Sequence, residues 1–262
     1  MFIEINVQGF SEFILTSVSL LFIFGHNLWL IGKKDRAKVR LEVNTSDVFP
    51  ASDSAVKSER IVDFRAVSAK NSAPIENYRV EENSLVAEVK NDDAFYAALE
   101  LHAHPIVLEH EKFVGYIASE NAEAFVKPAF VAGTTNAPQR ESYSKFAKAY
   151  FGSEQTDAFN LIVGHKLEIV PQNTHADLRD GKLIVKITFE GEPIAGLRVS
   201  NGCAELNGGK YLNHTLSDAN GLAELTVENG EHWFVRTHFI RPHSDAENFD
   251  WESFWASLTF RI

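Results

Sequence analysis

Histidines at two places in this chain have the setting that metal coordination needs. The first is His26, in "FIFGHNLWL" (22–30), directly behind an apolar run with the proportions of a segment removed on export. A histidine at a free N-terminus offers two nitrogens at once, its α-amine and its ring. An α-amine has a pKa near 7.7–8.0, so it frees its lone pair without a large shift. The second is His102-x-His104, in "DAFYAALELHAHP" (93–105). In a regular strand, residues i and i+2 share a face, and a rise of about 3.4 Å per residue sets their Cα atoms about 7 Å apart. Two imidazoles can converge on one ion from there, with Glu100 as an oxygen ligand or as a group that orients a ring. Neutral imidazole is the commonest metal ligand, and nickel and copper accept square or tetragonal nitrogen sites. The simpler reading of His102 and His104 is a solvated pair on the polar face of a strand.

The elements that must hold these groups read as mainly β. "AKVRLEVN" (37–44) puts Val39, Leu41 and Val43 on one face, and "SLVAEVK" (84–90) does the same with Leu85, Ala87 and Val89. In 93–105, Phe95, Ala97, Leu99, Leu101 and Ala103 oppose Tyr96, Glu100, His102 and His104. "KLIVKITFE" (182–190), "EHWFVRTHF" (231–239) and "SFWASLTFRI" (253–262) alternate with period two, with turns at "GEPIAG" and "SDANG" between them. Two patches have 3.6-type spacing and predict short accessory helices near 109–119 and 140–151, the latter through Tyr143, Phe146, Ala147 and Tyr150. Glu141 and Lys145 would then be an ordinary helical i, i+4 pair. The expected organisation is two β-sandwich-like domains. The first covers 26–160 and carries the helices; the second, 165–262, is an immunoglobulin-like or transthyretin-like sandwich. Residues 1–25 are expected to be a signal peptide or N-terminal anchor, since the run "FILTSVSLLFIF" (13–24) suits a signal h-region and is short for a membrane span.

Composition narrows the function classes. A formal charge of −11 argues against nucleic acid, which needs clustered Lys and Arg. The single cysteine, Cys203, excludes an internal disulfide and reads as a small buried hydrophobe. There is no G-x-S-x-G elbow, phosphate loop or H-E-x-x-H helix, so no enzyme signature is present. Trp251, Phe254 and Trp255 read as packing residues. His110 reads as a surface residue at a helix start, His165, His175 and His214 as solvated, and His232 and His243 as neighbours of the strand that carries His238.

Several stretches together resemble a bacterial exported family of unknown function often labelled as a nickel-uptake substrate-specific (transmembrane) region. They are "HNLWL" (26–30), "HPIVLEHEKFVGYI" (104–117), "RESYSKFAKAYF" (140–151), "KLEIVP" (166–171), "GEPIAGLRV" (191–199), "SDANGLAEL" (217–225), "HWFVRTHFIRP" (232–242) and "DWESFWASLTF" (250–260). The resemblance implies an exported β-rich protein with a C-terminal Ig-like, carboxypeptidase-regulatory-like sandwich. In some members it implies a role beside nickel or cobalt uptake systems. His26 and His238 both fall inside these stretches, and the ring of His238 would complete a three-nitrogen site with His26. The leading expectation is therefore a periplasmic or exported metal-binding accessory for nickel, cobalt or copper, partnered by a membrane metal-uptake transporter. An uncleaved N-terminal segment would leave it tethered. A non-catalytic β-sandwich interaction module and a copper histidine-chelate redox enzyme are the alternatives.

Overall fold

Alternating β-branched and aromatic residues separated by Gly, Asn and Asp turns fold here into three sheets, because such side chains pack well on a pleated surface. The computed structural model describes residues 27–35, 38–90, 93–130, 136–152, 158–228 and 230–262. The expected signal peptide or anchor, and His26, lie outside them. In chain order the first elements are β1 (Asn27–Asp35), β2 (Lys38–Ser46), β3 (Ile61–Ser68), β4 (Ser72–Pro74), β5 (Arg79–Glu81), β6 (Ser84–Lys90) and β7 (Phe95–Leu108). Then come α1 (His110–Ser119), α2 (Glu123–Phe130), β8 (Gln139–Phe151), β9 (Leu167–Pro171), β10 (Lys182–Phe189) and β11 (Glu192–Pro193). The chain closes with β12 (Arg198–Cys203), β13 (Tyr211–Leu216), β14 (Leu222–Thr226), β15 (His232–Pro242) and β16 (Trp251–Arg261). Among the described residues, no helix is long and apolar enough to cross a membrane.

The largest sheet has the order β13-β12-β15-β16-β8-β7-β3-β4. It draws strands from both sides of residue 160, joined where β16 pairs in parallel with β8. On one of its faces Phe95, Ala97, Leu99, Ala147 and Ala149 pack against Leu30, Leu41, Val43 and Leu85 of the sheet β1-β2-β6-β5. On the other, Tyr96, Phe146, Phe254 and Leu258 pack against Leu183, Val185 and Ile187 of the small sheet built on β10. The architecture is mainly β and sandwich-like, with α1 closing one end through Phe113, Tyr116 and Ile117 over Ile240 and Trp251.

The segment expected as a helix over 140–151 is the central strand β8. Its apolar residues fall on both sides, Phe146 and Tyr150 toward one core and Ala147, Ala149 and Phe151 toward the other. A strand buried on both faces loses its polar alternation, and its apolar residues then mimic helical spacing. The helix near 109–119 forms as α1, and the sequence reading did not foresee α2.

β1 runs across the large sheet. The Ser257 hydroxyl donates to the carbonyl of Leu28 (2.5 Å), and Thr259 donates to that of Leu30. Between them Trp29, fully buried, packs on Phe234 with ring centroids 4.8 Å apart. The beginning of the described chain is thereby pinned over β16 and β15.

Candidate functional site

Alternation along β15 places Phe234, Arg236, His238 and Ile240 on one face, and β16 sets Trp255 in register beside His238. The two rings lie 4.3 Å apart. His238 is 3% exposed. Its Nε2 is 2.5 Å from the Tyr116 hydroxyl, which donates to Glu141 Oε1 at 3.4 Å. Ser253 also donates to that oxygen. A phenol has one proton. Where that proton goes to Glu141, the Tyr116 oxygen accepts from Nε2–H and the His238 lone pair lies on Nδ1; where it goes to Nε2, Nδ1 carries the hydrogen. Nδ1 and Glu141 Oε2 are both buried and have no hydrogen-bond partner among the described residues.

Burial sets the electrostatics of this cluster. Loss of hydration, then the positive charge of Arg236, pushes His238 well below its usual 6.5, so the ring is neutral. Tyr116 is pushed well above 10 by burial and by the nearby Glu141 carboxylate. Glu141 itself is raised to about 7 by burial, against hydrogen bonds from Ser253 and Tyr116 that favour its anion. Folded Glu141 therefore keeps its proton up to about pH 7, whereas its ordinary value is 4.5. Between these values the folded chain binds the extra proton, so this group lowers stability as pH rises through the window. Its contribution over the whole window is roughly 3 kcal/mol. Glu141→Gln is expected to gain stability relative to the parent between pH 5 and pH 8, read as the difference of their urea midpoints at the two pH values.

Next along β15, Arg236 pairs with Glu120, both side chains nearly buried. The guanidinium lies over Trp255 at 5.2 Å and over Tyr211 at 4.9 Å. It also donates to Asn27 Oδ1 at 3.2 Å, while the Asn27 amide donates to the Tyr211 hydroxyl at 3.0 Å. Asn27, the first described residue, thus sits at the His238 end of the sheet.

His102 and His104 do not form the expected pair. β7 slips in register against β8 between Leu101 and His104, a β-bulge that breaks the alternation. His104 is set opposite Tyr143, its ring 5.7 Å from the tyrosine ring, and lines a cavity with Leu101. His102 instead lies in the field of Glu100. Both are exposed. Leu101, Lys145, Trp255 and His238 form one row across β7, β8, β16 and β15, so this part of β7 is three strand spacings, roughly 14 Å, from His238. His104 is also pushed below 6.5, by burial and by Arg60, Lys57 and Lys145. A ring facing three cations is a poor seat for a divalent metal.

Among the described residues, Glu205, Glu231 and His232 are the group with metal-like spacing. Its coordination capacity is already used. His232 Nδ1 bonds Glu205 Oε1 at 2.6 Å, and its Nε2 accepts from Arg261 Nε at 2.8 Å. Arg261 also pairs with Glu231 at 3.1 Å, so a guanidinium stands where a cation would. His165 and His175, expected to be solvated, are both 6% exposed.

Comparison with known proteins adds a family. A family model described as Domain of unknown function (DUF4198) matches residues 23–241. The chain belongs to the DUF4198 family. A comparison with curated proteins found no relative at a significant level of similarity. Among solved structures, the D0-D1 domain of intimin matches over 90% of this chain and 98% of its own, at 12% identity and a TM-score of 0.21. That score is too low to carry an argument.

Within this DUF4198 chain, the sequence reading found His238 but missed Tyr116, Glu141, Ser253 and Arg236, the groups that set its tautomer and charge. The signal was the row of charged residues in "RESYSKFAKAYF". Read as a strand buried on both faces, that segment must place Glu141, Lys145 and Lys148 in the interior, where charges need partners.

Proposed function

We propose that this protein is a metal-binding accessory of an exported compartment. In this reading His26 gives its α-amine and ring, and His238 gives a third nitrogen, to nickel, cobalt or copper. The observation that carries it is His238 Nδ1, a buried ring nitrogen with no hydrogen-bond partner among the described residues. The ring is neutral, so no proton need leave His238 before a metal binds. Tyr116 holds the opposite nitrogen, as outer-shell partners of metal-bound histidines do. The first described residues lie over β16, the strand that pairs with the one carrying His238. The contacts of β1 step back along β16 from Leu30 at Thr259 to Leu28 at Ser257. Delivery to a membrane uptake transporter is the role that the sequence resemblance supplies.

The test is a calorimetric nickel titration of two forms, one beginning at a free His26 and one with a short extension ahead of it. Tight binding by the free form alone supports the reading. Equal binding by both forms moves the metal elsewhere, and no binding by either leaves a β-sandwich interaction module as the account. For the free form, affinity should rise about tenfold per pH unit between pH 6.5 and 7.5, because the α-amine releases one proton on binding. Below that window the ring of His26 adds a second proton to the slope.

A further inference from the structure

A cavity of about 270 Å³ opens on the same face of the large sheet, between β7, β8 and the segment that follows β2. Its wall carries Lys57, Arg60, His104, Tyr143 and Lys145, and none of the described residues that line it is acidic. This is a concentrated positive cleft in a chain with a formal charge of −11. We propose that it binds a small oxyanion, a carboxylate or phosphate group, a site separate from His238 that does not depend on the metal reading.

Three features carry the assignment. First, Arg60 is held in place on the cavity wall. Its guanidinium lies 5.2 Å from the Tyr143 ring, and one amino group donates to the His102 carbonyl at 3.0 Å. Its Nε is buried with no acceptor among the described residues. A carboxylate or phosphate oxygen in the cavity would meet this guanidinium with a charge-assisted bond. Second, Lys145 brings its charge into the protein at 6% exposure. Burial, and then repulsion by Arg60, lowers it to about 8, and Asp47 offsets this only in part. An anion in the cavity would add a second negative charge to that of Asp47. Third, the cavity suits a small guest, since drug-sized ligands occupy about 300–1,000 Å³. Low-dielectric walls focus the field of the cations on whatever enters. The bulge after Leu101 contributes by turning His104 into this wall.

The test is calorimetric titration of the full chain with inorganic phosphate and with malonate, at constant ionic strength set by sodium chloride. Saturable binding of either probe is expected, weakened at least tenfold by Arg60→Gln and by Lys145→Met. Tighter phosphate binding identifies a phosphate-bearing guest, and tighter malonate binding identifies a carboxylic acid. Lys57→Gln removes an exposed cation without touching the core, and its affinity should fall even if a core variant folds poorly. Binding no stronger than that of chloride, or unchanged in all three variants, overturns the proposal.

Discussion

Glu168→Ala is expected to cost about 3–5 kcal/mol of stability, because it leaves a buried lysine without its counter-charge. Lys148 and Glu168 have side chains only 2% exposed, and Nζ lies 2.6 Å from Oε1. The same carboxylate accepts backbone N–H bonds from Val163 (2.8 Å), Gly164 (2.8 Å) and His165 (3.2 Å), so one side chain closes a whole loop. Burial pushes Glu168 upward, but the charge of Lys148 and these bonds hold it below its usual value, and the pair is ionised. Lys148 also lies 4.7 Å from the centre of the Tyr96 ring, which gives its charge a second favourable contact. In a chain of this size the alanine variant should melt roughly 6–20 °C lower. Lys148→Met combined with Glu168→Gln should cost less than Glu168→Ala alone. The amide oxygen can still receive the N–H groups of Gly164 and His165, and no buried charge is left unpaired. A double variant no more stable than Glu168→Ala would contradict this account of the pair.

The second large effect is on metal affinity. His238→Ala is expected to weaken nickel binding by the free-His26 form at least about 100-fold, since outer-shell partners alone are worth 10–100-fold. Tyr116→Phe should fall in that lower range. It removes the group that fixes the His238 tautomer and leaves Glu141 with one donor fewer. Calorimetry on both variants, with urea midpoints measured alongside, separates loss of a ligand from loss of fold. A Tyr116→Phe variant that binds metal like the parent would remove the tautomer argument.

Much of the sheet structure was legible wherever alternation survives. Leu183, Val185 and Ile187 in β10, and Trp233, Val235, Thr237 and Phe239 in β15, turn inward as the period-two pattern requires. The faces expected of Val39, Leu41 and Val43 and of Leu85, Ala87 and Val89 are likewise the buried ones. The helical spacing of β8 misleads for the physical reason that both its faces are covered, and with it Glu141 reads as half of a helical i, i+4 pair with Lys145. His238 was named from its stretch of sequence, but its burial was not. The polar side of β15 is covered by β1 and α1, a tertiary fact that no local pattern encodes. The separation of His102 from His104 was equally hidden, because a bulge depends on how the partner strand registers and not on either histidine.

The central claim is that the metal is held by the two nitrogens of His26 and the one of His238. The most direct measurement is electron paramagnetic resonance of copper(II) bound to the form that begins at a free His26, with the equatorial nitrogens counted from their hyperfine splitting. Three nitrogens in the parent, falling to two in His238→Ala, is the predicted result. A nitrogen count that His238→Ala leaves unchanged would contradict it.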